Sequence, residues 1–118
     1  MPYMLLIIEP VGQRQARSEA EGREAYARMT RFAAGLQEKG LLLGAESLSP
    51  LTTAARVQAR DGKARVLDGP FAEAKEMIGG FFLLDCATRE EAVDIATQCP
   101  AAEWCTVEVR SLAPCYEH

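Results

Sequence analysis

The sequence predicts an α+β fold on a split βαβ plan, with a β-hairpin inserted in its middle. Three observations carry that prediction. The runs Tyr3 to Ile8 and Gly80 to Leu84 are apolar on both alternating sets of positions, as strands covered on both faces are. Two stretches open on capping boxes, Ser18-x-x-Glu21 and Thr88-x-x-Glu91, and continue with apolar residues at helical spacing. Between them, two alternating segments flank Asp61-Gly62, the pair that suits a two-residue type I′ turn.

Taken in order, Tyr3 to Ile8 reads as a central strand that Pro10-Val11-Gly12 ends. The helix after Ser18 places Ala25, Met29, Phe32, Ala33 and Leu36 on one stripe and stops at Gly40. Tyr26 lies beside that stripe, at the boundary of the core or at the edge of a cavity. Leu41 to Leu48 follows as a second strand, interrupted by Ser49-Pro50. In the hairpin, pairing across Asp61-Gly62 sets Arg60 opposite Lys63, Ala59 opposite Ala64, Gln58 opposite Arg65 and Val57 opposite Val66. Both strands therefore agree on which face is apolar. The polar face gathers Arg56, Arg60, Lys63 and Arg65, which suits either a solvated edge or an anionic ligand.

The densest local pattern is Asp68-Gly69-Pro70-Phe71-Ala72-Glu73-Ala74-Lys75-Glu76, leading into Met77-Ile78-Gly79-Gly80-Phe81. Gly80 to Leu84 then forms a second central strand. Ala92, Ile95, Ala96 and Cys99 mark the buried stripe of the second helix, which Pro100 follows. Trp104 to Arg110 forms the last strand, with Cys105, Val107 and Val109 on one face and Thr106, Glu108 and Arg110 on the other. The tail from Ser111 is expected to be loose.

The 118 residues fit one domain, residues 1–118, and a composition of 48% hydrophobic and 25% charged residues is that of a folded chain. A net charge of -4 argues against nucleic acid as the main partner, since phosphate binding needs clustered Lys and Arg. The apolar opening is too short for a membrane span or a signal-peptide core, which points to the cytoplasm and away from a membrane. In that compartment the four cysteines are expected to be reduced. They form no C-x-x-C pair, and with His118 as the sole histidine neither a metal site nor a cofactor is expected.

Two helices cover one face of a sheet. The two doubly apolar strands need the other face covered as well, and a second copy of the same sheet is the simplest cover, so a homodimer is expected.

The opening Tyr3-Met4-Leu5-Leu6-Ile7, the Asp68 to Glu76 stretch, Gly79-Gly80-Phe81 and the closing Val107-Glu108-Val109-Arg110 resemble the DGPF group of the YCII-related family over almost the whole chain. The resemblance implies a ferredoxin-like fold assembled as a dimeric α+β barrel, here with an inserted β-hairpin. Members of this group are often encoded beside extracytoplasmic-function sigma factors, so a structural or interaction role in sigma-factor regulation is one reading. The wider family is suggested to use a histidine–aspartate dyad. This chain has no histidine before His118, so the histidine half has no matching position.

Asp68 is the leading candidate for a working group. Gly69 and Pro70 leave its carboxylate uncrowded, as a general base would need, and the same placement suits an Asp that holds a turn. Glu73 and Lys75, with Tyr26, are the candidate ligand contacts around a small-molecule pocket near this stretch. Cysteine catalysis is not expected, because Cys99 ends a helix, where the dipole disfavours a thiolate, and lacks a histidine partner. An enzyme using Asp68, a ligand-binding module and an interaction domain are the three functional classes that remain.

Overall fold

In a computed structural model, residues 2–117 are described. They form β1 (Tyr3–Pro10), α1 (Glu19–Glu38), β2 (Leu42–Ser47), β3 (Ala55–Arg60), β4 (Lys63–Asp68), β5 (Glu76–Leu84), α2 (Arg89–Gln98) and β6 (Thr106–Ser111). His118 lies outside the described residues.

Four strands make one antiparallel sheet in the order β2-β5-β1-β6, which with the two helices is the ferredoxin-like arrangement. The two runs that are apolar throughout, in β1 and β5, are the central pair. The capping box of α1 is complete, the Ser18 hydroxyl accepting from the Glu21 amide and the Glu21 carboxylate from the Ser18 amide; at α2 the Thr88 hydroxyl accepts from the Glu91 amide, but the Glu91 carboxylate accepts from the Ala87 amide instead of that of Thr88.

Both helices pack on one sheet face. Leu5, Ile7, Phe82 and Leu84 point into this layer against Leu36, Ala92, Ala96 and Cys99, and Phe32 meets Phe82 edge-on with ring centroids 5.3 Å apart. Alternation sends Met4, Leu6 and Ile8 of β1, with Phe81 and Leu83 of β5, to the opposite face. No helix of the chain packs over that face among the described residues, and Thr106, Glu108 and Arg110 flank it on β6 in register with Ile8, Leu6 and Met4.

The inserted hairpin is a separate two-stranded ribbon with the expected register, Arg60 to Lys63 through Val57 to Val66. Its turn residues Asp61 and Gly62 have φ of 52° and 75°, as a type I′ turn requires. Every residue of β3 and β4 is exposed, and Val57 and Val66 remain 65% and 66% accessible. The ribbon is thus an arm. It accounts for a radius of gyration of 16.2 Å, against about 13.5 Å for a compact chain of this length.

Several boundaries differ from the sequence reading: β1 runs on through Glu9 and Pro10, and β2 is one residue shorter at each end. β5 begins at Glu76, four residues before the apolar run, because its first half pairs with Ile8, Glu9 and Pro10 across a bulge at Gly79. Trp104 is not in β6; it caps a 3₁₀ turn over Pro100–Glu103 that turns its ring toward α1. Ser111 is the last residue of β6, and the next amide, of Leu112, donates to the Pro2 carbonyl, so the tail is anchored at its start.

Candidate functional site

The alternation that turns Leu5 and Ile7 inward also turns Glu9 inward, where 7% of it is exposed. A carboxylate so placed requires a close cation and further donors. The turn after β1 supplies them. The Val11 amide donates to the Lys75 carbonyl (2.9 Å), and the chain folds back so that Arg14 reaches over the end of the sheet.

Arg14 forms a fork on Glu9, with Nε donating to Oε1 at 2.6 Å and Nη2 to Oε2 at 3.3 Å. Nη1 donates to the Leu48 carbonyl (2.7 Å) and Nη2 also to the Gly79 carbonyl (3.1 Å), so one guanidinium joins β1, β5 and the end of β2. Gly79 makes room for this pair. A Cβ there would lie 2.0 Å from Glu9 Oε2 and 2.9 Å from Arg14 Nη2.

Next to the ion pair, a cavity of about 500 Å³ lies between α1 and the sheet. Ile7, Phe82 and Ala45 form its sheet wall, Met29 and Ala33 its helix wall, and Tyr26, Arg17 and Trp104 its rim. That size is in the range of small-molecule sites. Gln13 ties the rim together by donating through Nε2 to the Trp104 carbonyl at 2.7 Å.

The guanidinium carbons of Arg17 and Arg28 both lie 5.4 Å from the Trp104 ring centroid. Arg28 is also ion-paired with Glu103, whose carboxyl is held below its ordinary range by that hydrogen bond. Arg17 has no carboxylate partner among the described residues and makes one long contact, to Gln13 Oε1 at 3.5 Å. Burial, with Glu9 and Cys99 nearby, pushes the Cys105 thiol up to about 11, and burial likewise raises Cys99, so neither carries a thiolate at neutral pH. Among the described residues no three His, Cys, Asp or Glu side chains converge as metal ligands would.

Of the residues singled out in the sequence, Tyr26 lines this cavity and is 64% exposed at its rim. Asp68 ends β4 on the arm, exposed, with no hydrogen bond to its carboxylate among the described residues, and Glu73 and Lys75 are exposed in the segment that leads to β5. These three do not line the cavity and are not brought together with Tyr26. Their stretch nonetheless shapes the base of the arm. The Gly69 amide donates to the Ala54 carbonyl at 2.7 Å, and a Cβ on Gly69 would lie 1.9 Å from the Leu51 carbonyl oxygen. The Gly69–Pro70 peptide is cis, and Phe71 is buried with the Arg56 guanidinium 3.8 Å from its ring centroid.

Glu9, Arg14, Arg17 and Trp104 were not singled out by sequence reasoning. One signal was present: in Leu5-x-Ile7-x-Glu9 the alternation carries an acidic residue onto the buried face, and the nearest following cations are Arg14 and Arg17.

The sequence model of the YCII-related domain matches residues 1–115. The chain belongs to the YCII-related family. An uncharacterized protein of Rhizobium meliloti (strain 1021) is 39% identical to it over 102 residues, which cover 81% of this chain and 82% of that protein. The opening strand, the Asp68 to Glu76 stretch and β5 of this YCII-related chain all fall inside the matched region.

Proposed function

We propose that this YCII-related chain is a single small-molecule-binding domain that works as a homodimer, with its ligand in the cavity between α1 and the sheet. The observation that carries this reading is the cavity itself: about 500 Å³, apolar along its walls, with a half-buried ion pair and a Tyr–Arg–Trp rim at its polar end. The Asp68 stretch contributes at one remove, because the chain leaves it through the Lys75 carbonyl that holds the turn before Arg14.

The dimer rests on the uncovered sheet face. Met4, Leu6, Ile8, Phe81 and Leu83 make a continuous apolar strip, and a second sheet packed on it would remove that strip from water and close a barrel. A cytoplasmic location fits the four unpaired cysteines, and among the described residues no helix is long and apolar enough to cross a membrane.

Sedimentation at micromolar concentration is expected to give the mass of a dimer, and Leu6→Lys to give a folded monomer. A wild-type chain that sediments as a monomer removes the dimer from the reading. For the cavity, Ala33→Phe is expected to abolish the thermal stabilisation given by any small molecule that binds the wild type, and unaltered stabilisation would remove the cavity.

A further inference from the structure

We infer that the ligand of this cavity is an amphipathic anion, with an apolar or aromatic body in the cavity and a carboxylate or other acidic group on Arg17. The inference rests on the cavity being the binding site, as proposed above, and adds the chemical class.

Charge bookkeeping around the cavity supports it. Glu9 and Arg14 neutralise each other in a bidentate pair, and Arg14 spends its other contacts on two backbone carbonyls. Glu46 borders the cavity, but β2 pairs it with Phe81, whose side chain alternates to the opposite sheet face, so its carboxylate points away. At the rim, Arg28 is satisfied by Glu103. Glu21 is committed to the α1 capping box, and its carboxyl is lowered first by those hydrogen bonds and least by Arg17.

One positive charge is therefore left at the cavity, on Arg17. Its planar fork is already held beside the Trp104 ring, which fixes its direction without satisfying its donors. An acidic group there gains charge-assisted hydrogen bonds, and a flat apolar body gains the Met29, Phe82 and Trp104 surfaces. A cationic ligand would meet Arg17 unfavourably. A neutral one would leave its donors unused.

The test uses two fluorescent probes with similar bodies: 8-anilinonaphthalene-1-sulfonate, which is anionic, and N-phenyl-1-naphthylamine, which is neutral. Trp104, the one tryptophan of the chain, serves as the energy-transfer donor at the rim. The sulfonate is expected to bind the wild type more tightly, and Arg17→Gln to weaken it about tenfold, the loss of one charged hydrogen-bonded contact. Arg17→Gln is expected to leave the neutral probe unchanged, and Arg17→Lys to recover part of the sulfonate affinity. Ala33→Phe is expected to abolish binding of both; should that variant not fold, Gly22→Phe replaces it, since a Cβ on Gly22 meets nothing within 4 Å.

If both probes bind equally and Arg17→Gln alters neither, while Ala33→Phe removes both, the anion is wrong and the cavity stands. Probe binding that survives the cavity-filling variant, or no binding of either probe to the wild type, overturns the cavity and the inference with it.

Discussion

The cavity floor and the base of the arm solve one problem in opposite ways. Each must bring polar groups close to packed surroundings at the end of a strand. At the floor the solution is electrostatic: Glu9 and Arg14 face one another on the buried side of the sheet, and Gly79 is bare so that they fit. At the arm it is steric: Gly69 lies against the Leu51 carbonyl and Phe71 plugs the base, while Asp68, Glu73 and Lys75 stay in water. A cluster of charged residues in the sequence thus marks solvent in one region. A single acidic residue at an inward position marks buried charge in the other.

Substitutions can break this contrast, and the largest effect is expected at the floor. Arg14→Met leaves Glu9 buried without its cation and is expected to destabilise by about 3 kcal/mol in urea unfolding. Adding Glu9→Gln to that variant is expected to recover much of the loss, because no charge is then left unpaired. Asp68→Asn is expected to lie within about 0.5 kcal/mol of wild type, as surface changes do, and to leave probe binding intact. A large loss on Asp68→Asn would erase the distinction.

At the arm the sensitive position is a glycine. Gly69→Ala sets a methyl into the Leu51 carbonyl, so the backbone must shift, with an expected cost of about 2 kcal/mol in the same measurement. Arg56→Ala removes only the stacked cation on Phe71, and about 0.5 to 1 kcal/mol is expected for that exposed contact. If Arg56→Ala proved the costlier of the two, charge rather than shape would hold the arm.

The smallest effect concerns the thiols. At pH 8 an alkylating reagent is expected to label Cys115, which is exposed, well before Cys105, whose thiol is pushed up to about 11. The sign for stability follows from that raised value. An ordinary thiol in the unfolded chain loses its proton near 8.5, so Cys105 contributes fully below that pH and its contribution falls as pH rises toward 11. Cys105→Ala is expected to flatten that alkaline decline, as followed by urea midpoints at several pH values.

The fold was legible because local signals agreed. Two capping boxes, the Asp61-Gly62 turn with matching alternation on both sides, and two runs apolar throughout leave one sheet order open to a βαβ plan. The bulge at Gly79 was not legible, since the Glu9 and Arg14 side chains that lie against this glycine are distant from it in sequence. The alternation of Cys105, Val107 and Val109 runs the last strand back to Trp104 in the sequence, and the 3₁₀ turn after Pro100 takes that residue out of it. Of the cavity, Tyr26 was found from its place beside the α1 stripe. Arg14 and Arg17 were not, because a polar turn of this composition looks the same in sequence whether its arginines face water or the end of a sheet.

The most direct test of the account is a crystal structure with 8-anilinonaphthalene-1-sulfonate bound. The account predicts density for the probe between α1 and the sheet, its rings against Met29 and Phe82 and its sulfonate within hydrogen-bonding distance of Arg17. Density beside Asp68 on the arm, with the cavity under α1 unfilled, would contradict it.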